Sequence, residues 1–387
     1  MRSAVSSHRR RHLRLRLLRL AAVALAPYSI KAAVPEARRV LLIRPDHIGD
    51  VLLGAEAVAL LRASLPHAHF TYLLGPWAAD AARHGPPVDE IRTLAFPGFT
   101  RRAHASVAQP YVILAREAAK LRRERFDLAV VLRADHWWGA LLAAAAGIPV
   151  RVGTATPETR PFLTHAYGAR GEHAAEHALG VALLALHAIG AAPARVEHVR
   201  QFTVGELARA KADELWRAHG LAGRRVVGLH PSAGAPLKSW PVDRWAELAD
   251  ALVADGLAVV FIGAPDDRAL LAAIAPDAAS LCGQPLEVSA ALYARCAVVV
   301  SVDSAAGHLA EAVGAPTVRL YGPAPPTIFG PWPPRADQHV LITDALACAP
   351  CGDLEGPPCG ATTMPACMLA LGVEVVAKAV KAELAQG

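Results

Sequence analysis

Two acids bracket a tight turn in the stretch VLLIRPDHIGDVLLGAEAVALL, residues 40–61: Asp46 and Asp50, on either side of His47-Ile48-Gly49. An apolar run enters the turn and an amphipathic run leaves it. Either acid can cap a helix, and either can take a proton from a substrate hydroxyl. A second stretch, VDSAAGHLAEAVGAP (302–316), opens a helix with Asp303, Ser304 and Gly307 among small residues that let a ligand approach the backbone. Free N–H groups and the helix dipole suit such a start to a phosphate. Ser304 adds a hydroxyl, and His308 lies one turn further on the same face. The plainer alternative is that Asp303 or Ser304 caps the helix and His308 packs. A third stretch, HPSAGAPLKSWP (230–241), supplies one cation, Lys238, the only Lys or Arg between Arg225 and Arg244. Opposite a phosphate it would stabilise a leaving group; otherwise it is a solvated loop lysine.

Six cysteines are unevenly placed. Cys282 and Cys296 sit in apolar context and read as packed thiols. Cys348, Cys351, Cys359 and Cys367 follow the spacing Cys-x2-Cys-x7-Cys-x7-Cys in a Gly/Pro-rich loop. Four thiolates suit a closed, structural Zn²⁺ or iron site. Four reduced thiols or disulfides are the other readings, and a cytoplasmic chain argues against the disulfides. No Walker A, G-x-G-x-x-G or G-x-S-x-G pattern occurs, which removes the standard P-loop and α/β-hydrolase readings and weakens a dehydrogenase one.

The elements that must position these residues alternate. Apolar runs at 39–44, 69–74, 91–96 and 126–132 are separated by helical patterns at 50–64, 108–124 and 136–146. After helical stretches at 173–190 and 204–219 the same grammar restarts. Strands are expected at 225–230, 257–263, 297–302 and 316–322, with helices at 241–254, 266–274, 287–294 and 304–313. Continuous apolar strands between helices indicate parallel, doubly wound sheets covered on both faces. The chain is therefore α/β, with two Rossmann-like halves meeting near residue 200. All three stretches follow strands, where a parallel sheet binds its ligands, and two sheets facing across a cleft would suit a two-substrate reaction.

Charge is as uneven as the cysteines. Residues 1–31 hold seven Arg and one Lys with no acid, so the net +6 of the chain resides in this tail and the remainder is near −2. With aromatics at only 5%, nucleic-acid binding is excluded as the leading class. Within the tail, Leu13, Leu17, Leu20 and Ala24 line one helical face with Arg16 and Arg19 roughly opposite. It reads as a segment lying on an anionic membrane surface, as an unstructured extension, or, more weakly, as a secretory signal interrupted by Arg. No run of about 18 uninterrupted apolar residues appears.

Taken in order, VLLIRPDHIGDVLLGAEAVALLRASLPHAHFTYL, VGLHPSAGAPLKSWPVDRWAELADAL, VVFIGAPDDR and VVVSVDSAAGHLAEAVGAPTVRLYGP resemble glycosyltransferase family 9, the ADP-heptose:lipopolysaccharide heptosyltransferases. The resemblance spans roughly residues 38–380. It implies a GT-B fold with an N-terminal acceptor domain (36–200) after a basic extension (1–35). A C-terminal nucleotide-sugar domain (201–387) would carry the Cys-rich loop 348–367. It implies an inverting transfer that needs no metal, from ADP-heptose to a lipid-linked lipopolysaccharide inner-core acceptor. The enzyme would be cytoplasmic and peripheral at the inner face of the inner membrane, with the tail helping to recruit it. Carried over residue by residue, Asp50 matches the general base and Lys238 the lysine at the donor phosphates. Asp303, Ser304, Gly307 and His308 match the diphosphate segment, Ser232 would face the phosphates, and Asp266 falls where an acid meets the ribose. Arg133, Asp135 and His136 are acceptor-side candidates by position. A family-9-like transferase with another nucleotide-sugar or a protein acceptor is the second reading, and a non-catalytic GT-B nucleotide binder the third; Asp50 together with Lys238 favours an enzyme.

Overall fold

The computed structural model describes residues 15–16, 18–23, 37–99, 106, 108–196, 202–276 and 278–385. The chain forms two compact units, Met1–Val199 and Arg200–Gly387. The first is built on β1 (Arg39–Arg44), β2 (His69–Leu74), β3 (Glu90–Thr93), β4 (Leu128–Val131), β5 (Val150–Thr154) and β6 (His165–Tyr167). The second is built on β7 (Val226–His230), β8 (Ala258–Phe261), β9 (Ala279–Ser280), β10 (Val298–Val302), β11 (Thr317–Leu320) and β12 (Gln338–Leu341). Every strand pair is parallel.

The sheets run β3-β2-β1-β4-β5-β6 and β12-β11-β10-β7-β8-β9. Counted within its own unit, each has the strand order 3-2-1-4-5-6 of a doubly wound Rossmann sheet. The order reverses between β1 and β4 in the first unit and between β7 and β10 in the second. At those points consecutive crossovers leave to opposite faces and open a crevice at the strand carboxyl ends.

The central strands bury nearly every side chain: Val40, Leu41, Leu42 and Ile43 in β1, and Val298, Val299 and Val300 in β10, are fully buried. Four strands escape sequence reading. β5 carries Arg151, whose guanidinium is buried and donates to the Phe162 carbonyl. β6, β9 and β12 are short edge strands of mixed polarity, which lack an apolar run because one side has no neighbour.

Residues 50–64 do not form a single helix. The structure has Ile48–Leu53 and Ala55–Ser64, broken at Gly54. The guanidinium of buried Arg44 lies against Gly54, in the space a Cβ would take. In the tail, residues 18–23 are helical, and Leu18 is buried in the core of the first unit with Ala21 and Ala22 packed on it. Leu20 and Val23 point outward, 66% and 72% exposed. The inward face is thus 18-21-22 rather than the expected 13-17-20-24, of which Leu13, Leu17 and Ala24 lie outside the described residues.

Candidate functional site

In the first unit, β1 delivers Arg44, Asp46 and Asp50 to the switch point and β4 delivers Arg133, Asp135 and His136. Asp50 is the third residue of the helix Ile48–Leu53; its N-cap is His47, and no side chain caps that end. The acid is therefore not a cap. It is half-buried. Desolvation raises its pKa above the ordinary carboxylate value, and the negative charge of Asp46 raises it further. Arg44, Arg133 and His47 pull the other way.

Asp46, in contrast, is only 2% exposed and lies between two cations. Its Oδ2 is 3.1 Å from Arg44 Nε, and its Oδ1 pairs with Arg133. Its backbone carbonyl accepts a hydrogen bond from Trp77 Nε1 at 2.9 Å. Arg133 also bonds Asp135 at 2.6 Å and lies over the Phe99 ring. A buried carboxylate with two guanidinium partners is compensated. Asp46 thus holds the local charge frame, while Asp50 is the partly accessible acid with the raised pKa.

Beside this frame a cavity of about 1070 Å³ is lined by Phe99, Tyr111, Arg133, Asp135, His136 and Trp137, among others. That is large enough for a saccharide-sized ligand. His136 is 4% exposed and packs edge-on against Phe96 and Phe99. Burial pushes its pKa down to about 4, so the ring is neutral. Among the described residues neither ring nitrogen has a hydrogen-bond partner. Sequence reading reached Arg133, Asp135 and His136 by position, but not the adjacent Trp137, nor Phe99 and Tyr111, which come from separate segments.

In the second unit, β7 leads to Ser232 and Lys238, and β10 leads to Asp303 and the helix Ala305–Ala312. Lys238 Nζ lies 2.6 Å from Asp303 Oδ2, joining two loops 65 positions apart in sequence. Ser304 is the N-cap residue, yet its hydroxyl makes no capping bond. Its Oγ is buried and has no partner among the described residues. The reading of Ser304 as a simple cap fails on this point. Ser232 Oγ is 3.2 Å from His230 Nε2, while His230 Nδ1 donates to the Ile262 carbonyl at 2.7 Å. Desolvation depresses the His230 pKa, which keeps that ring neutral.

His308, inside the first turn, is 7% exposed and contacts Arg319. Sequence reading did not pick out Arg319. Its signal was a lone charge inside the apolar strand segment TVRLYG. Asp266 stands apart from this group. It is exposed in the turn Pro265–Asp267, and its neighbour Asp267 closes the turn by accepting from Ala264 N at 2.7 Å.

All six cysteines are unpaired. Cys348, Cys351, Cys359 and Cys367 line one cavity of about 10 Å³, the room of a single small atom. Among the described residues, however, no three His, Cys, Asp or Glu side chains stand in a ready metal-binding arrangement.

Solved structures carry the same fold. A glycosyl transferase family 9 protein from Veillonella parvula superposes with a TM-score of 0.72 at 23% identity, over 91% of this chain and 98% of its own. The E. coli heptosyltransferase WaaC with ADP-2-deoxy-2-fluoro heptose superposes with a TM-score of 0.58 at 21% identity, over 78% and 92%. Two doubly wound units in series, each with polar side chains gathered at its switch point, define the GT-B fold. Lipopolysaccharide heptosyltransferase 2 of E. coli K12 is 25% identical over 318 residues, 79% of this chain and 88% of that protein. The sequence profile of glycosyltransferase family 9 (heptosyltransferase) matches residues 114–357, and the chain belongs to that family.

Proposed function

We propose that this glycosyltransferase moves a heptose from ADP-heptose to a lipid-linked saccharide of the lipopolysaccharide inner core, with inversion at the anomeric carbon. The observation that carries the reading is the polar group at the β7/β10 switch point. A lysine is fixed by an aspartate beside a serine hydroxyl that is buried at a helix N-terminus and has no hydrogen-bond partner among the described residues. Such a group has donors in excess of acceptors, as a diphosphate requires.

In the reaction, an acceptor hydroxyl attacks the anomeric carbon as the bond to the diphosphate oxygen breaks. The hydroxyl proton passes to Asp50, and ADP departs with the bonding electron pair. Asp50 must be ionised to accept that proton, and its raised pKa makes it a stronger base than an ordinary carboxylate. Lys238, Ser304, His308 and the N–H groups after Asp303 stabilise charge gathering on the leaving diphosphate. Ser232 supports the same loop, and Asp266 reaches a ribose only from the exposed turn that it occupies. The acceptor saccharide enters the aromatic cavity of the first unit, where Trp137 and Tyr111 offer stacking faces and Asp135 and His136 offer polar ones. No step of the transfer runs through a metal.

Thermal unfolding with ADP-, UDP- and GDP-sugars is the direct test. ADP-heptose should give the largest upward shift; a preference for UDP or GDP would replace the donor assignment. Asp50→Ala should lower transfer by at least about 1000-fold while keeping the ADP-induced shift. Full activity in that variant would remove the base assignment.

Two further readings accompany this one. The four-cysteine loop binds a structural Zn²⁺ or iron ion after tightening around it, a proposal that rests on four thiols sharing one cavity. Metal analysis of the protein as purified should find about one ion per chain, lost in Cys351→Ser, with four sulfur ligands expected of a closed site. The enzyme is also proposed to work from the cytoplasm at the inner face of the inner membrane, held to anionic lipid by its tail. No helix among the described residues is long and apolar enough to cross a membrane.

A further inference from the structure

Arg319 is one of the most deeply buried charges in the molecule, 1% exposed, although it stands in the middle of β11. Its guanidinium is held on several sides. Nη2 donates to Glu311 Oε2 at 2.6 Å and lies 3.3 Å from Gln338 Oε1, and Nε donates to Thr317 Oγ1 at 3.2 Å. These acceptors are fixed in turn. Glu311 Oε1 accepts from Trp332 N at 2.8 Å, and Gln338 Nε2 donates to the Ala315 carbonyl at 3.1 Å. The remaining arm, Nη1, is directed at His308 Nδ1, 3.2 Å away.

That contact admits one assignment of roles. A guanidinium has donors only and keeps its proton in proteins. His308 Nδ1 must therefore accept, and a neutral imidazole that accepts at Nδ1 carries its hydrogen on Nε2. A proton on Nδ1 would set two N–H groups, and two positive charges, against each other. Gly307 belongs to the same device. A Cβ there would lie 2.9 Å from Arg319 Nε and 2.9 Å from Ser301 Oγ, so only glycine lets the guanidinium pass beneath the helix Ala305–Ala312.

We propose that Arg319 is a positioning residue that fixes His308 as the neutral Nε2–H tautomer, making it a hydrogen-bond donor toward the diphosphate of the nucleotide-sugar. The proposal deepens the donor-site reading and rests on it for the identity of the acceptor that Nε2–H meets. Ser304, one turn earlier on the same face with its Oγ unpartnered among the described residues, points to the same ligand chemistry. Lys238 and His308 then play different parts. The lysine supplies charge, and the histidine supplies a directed donor that stays uncharged.

The test uses the full chain labelled with ¹⁵N-histidine, whose 17 rings are sorted by comparison with His308→Gln. Long-range ¹H–¹⁵N correlations should show the His308 ring neutral, with hydrogen on Nε2, at neutral pH. An Nδ1–H ring or an imidazolium there overturns the proposal. Arg319→Lys, still a donor without an acceptor, should keep the Nε2–H form. Arg319→Met should give a mixture of tautomers and weaken ADP binding about 3- to 10-fold, the worth of one hydrogen bond. A folded Arg319→Met chain with the tautomer unchanged also overturns it, as does a folded Arg319→Lys chain that has switched to Nδ1–H. Addition of ADP to the native chain separates the two readings. A shifted Nε2–H resonance supports both, whereas a fixed tautomer that ignores ADP removes His308 from the donor site and the proposal with it. Loss of ADP-induced thermal stabilisation altogether is instead the failure of the donor-site reading.

Discussion

The two acids of the first turn do different work because their surroundings differ. Asp46 is closed in by Arg44 and Arg133, whereas Asp50 keeps partial exposure and an upward-shifted pKa. Asp50 faces Asp46 and Arg44 from the β1 side, Arg133 from the loop after β4, and His47 from its own helix cap. Of the other neighbours, Tyr72 on β2 is driven up to about 12 by burial, Asp80 and Arg83 pair with each other at the surface, and His177 bonds Thr154. None of these last groups supplies net charge to the turn. On the proposed base role of Asp50, transfer should fall as pH drops through its raised pKa. Asp46→Asn removes a negative charge, lowers the Asp50 pKa and should move the acid limb of the kcat/KM profile to lower pH. Arg133→Gln removes a positive charge and should move that limb to higher pH. Profiles measured for both variants check the sign; parallel shifts would show that the frame acts only through packing.

Glycines mark where buried arginines pass under helices. Gly54 breaks what would otherwise be one helix, and Arg44 fills the space. Gly307 opens the helix of the donor segment over Arg319. In Gly307→Ala the new methyl meets Arg319 and Ser301 in a closed core, which costs about 1–3 kcal/mol of stability. Donor binding should weaken with it, because the displaced guanidinium releases His308. Urea unfolding together with an ADP titration separates the two losses. Trp240 and Trp245 pack edge to face at 5.1 Å in the core of the second unit. Trp240 Nε1 donates to the Leu371 carbonyl and so fastens the C-terminal segment to the sheet.

In the whole chain, positive charge and apolar surface meet in the tail. Leu18 anchors that segment in the core of the first unit, while Arg16, Arg19, Leu20 and Val23 are exposed. Removing residues 1–30 should therefore do two things. It should reduce co-sedimentation with anionic vesicles, where each basic residue near the surface adds about 1 kcal/mol. It should also lower thermal stability, because a buried leucine is lost from the core, at a cost of roughly 2–5 kcal/mol by analogy with truncating such a side chain. Unchanged sedimentation with a lowered melting temperature would make the tail a structural strap alone.

Continuous apolar runs such as RVLLIR and AVVVSV were enough to place central parallel strands, because a strand covered on both faces has no polar position to blur it. The local order Asp303-Ser304-Gly307-His308 was likewise legible as the opening of a helix, which begins at Ala305. The edge strands β6, β9 and β12 were not, since they are set by the neighbour they join rather than by an apolar pattern of their own. Nor could local spacing by itself separate Asp46 from Asp50, because their surroundings differ through Arg133, which arrives from β4, 87 positions along the chain from Asp46. The same holds for Lys238 with Asp303 and for Arg319 with His308. Propensity and periodicity act over a few residues, and so they name the strands and the loop chemistry. Which charges are paired, buried or left open follows from strand order and side-chain packing, which bring distant segments to the same switch point.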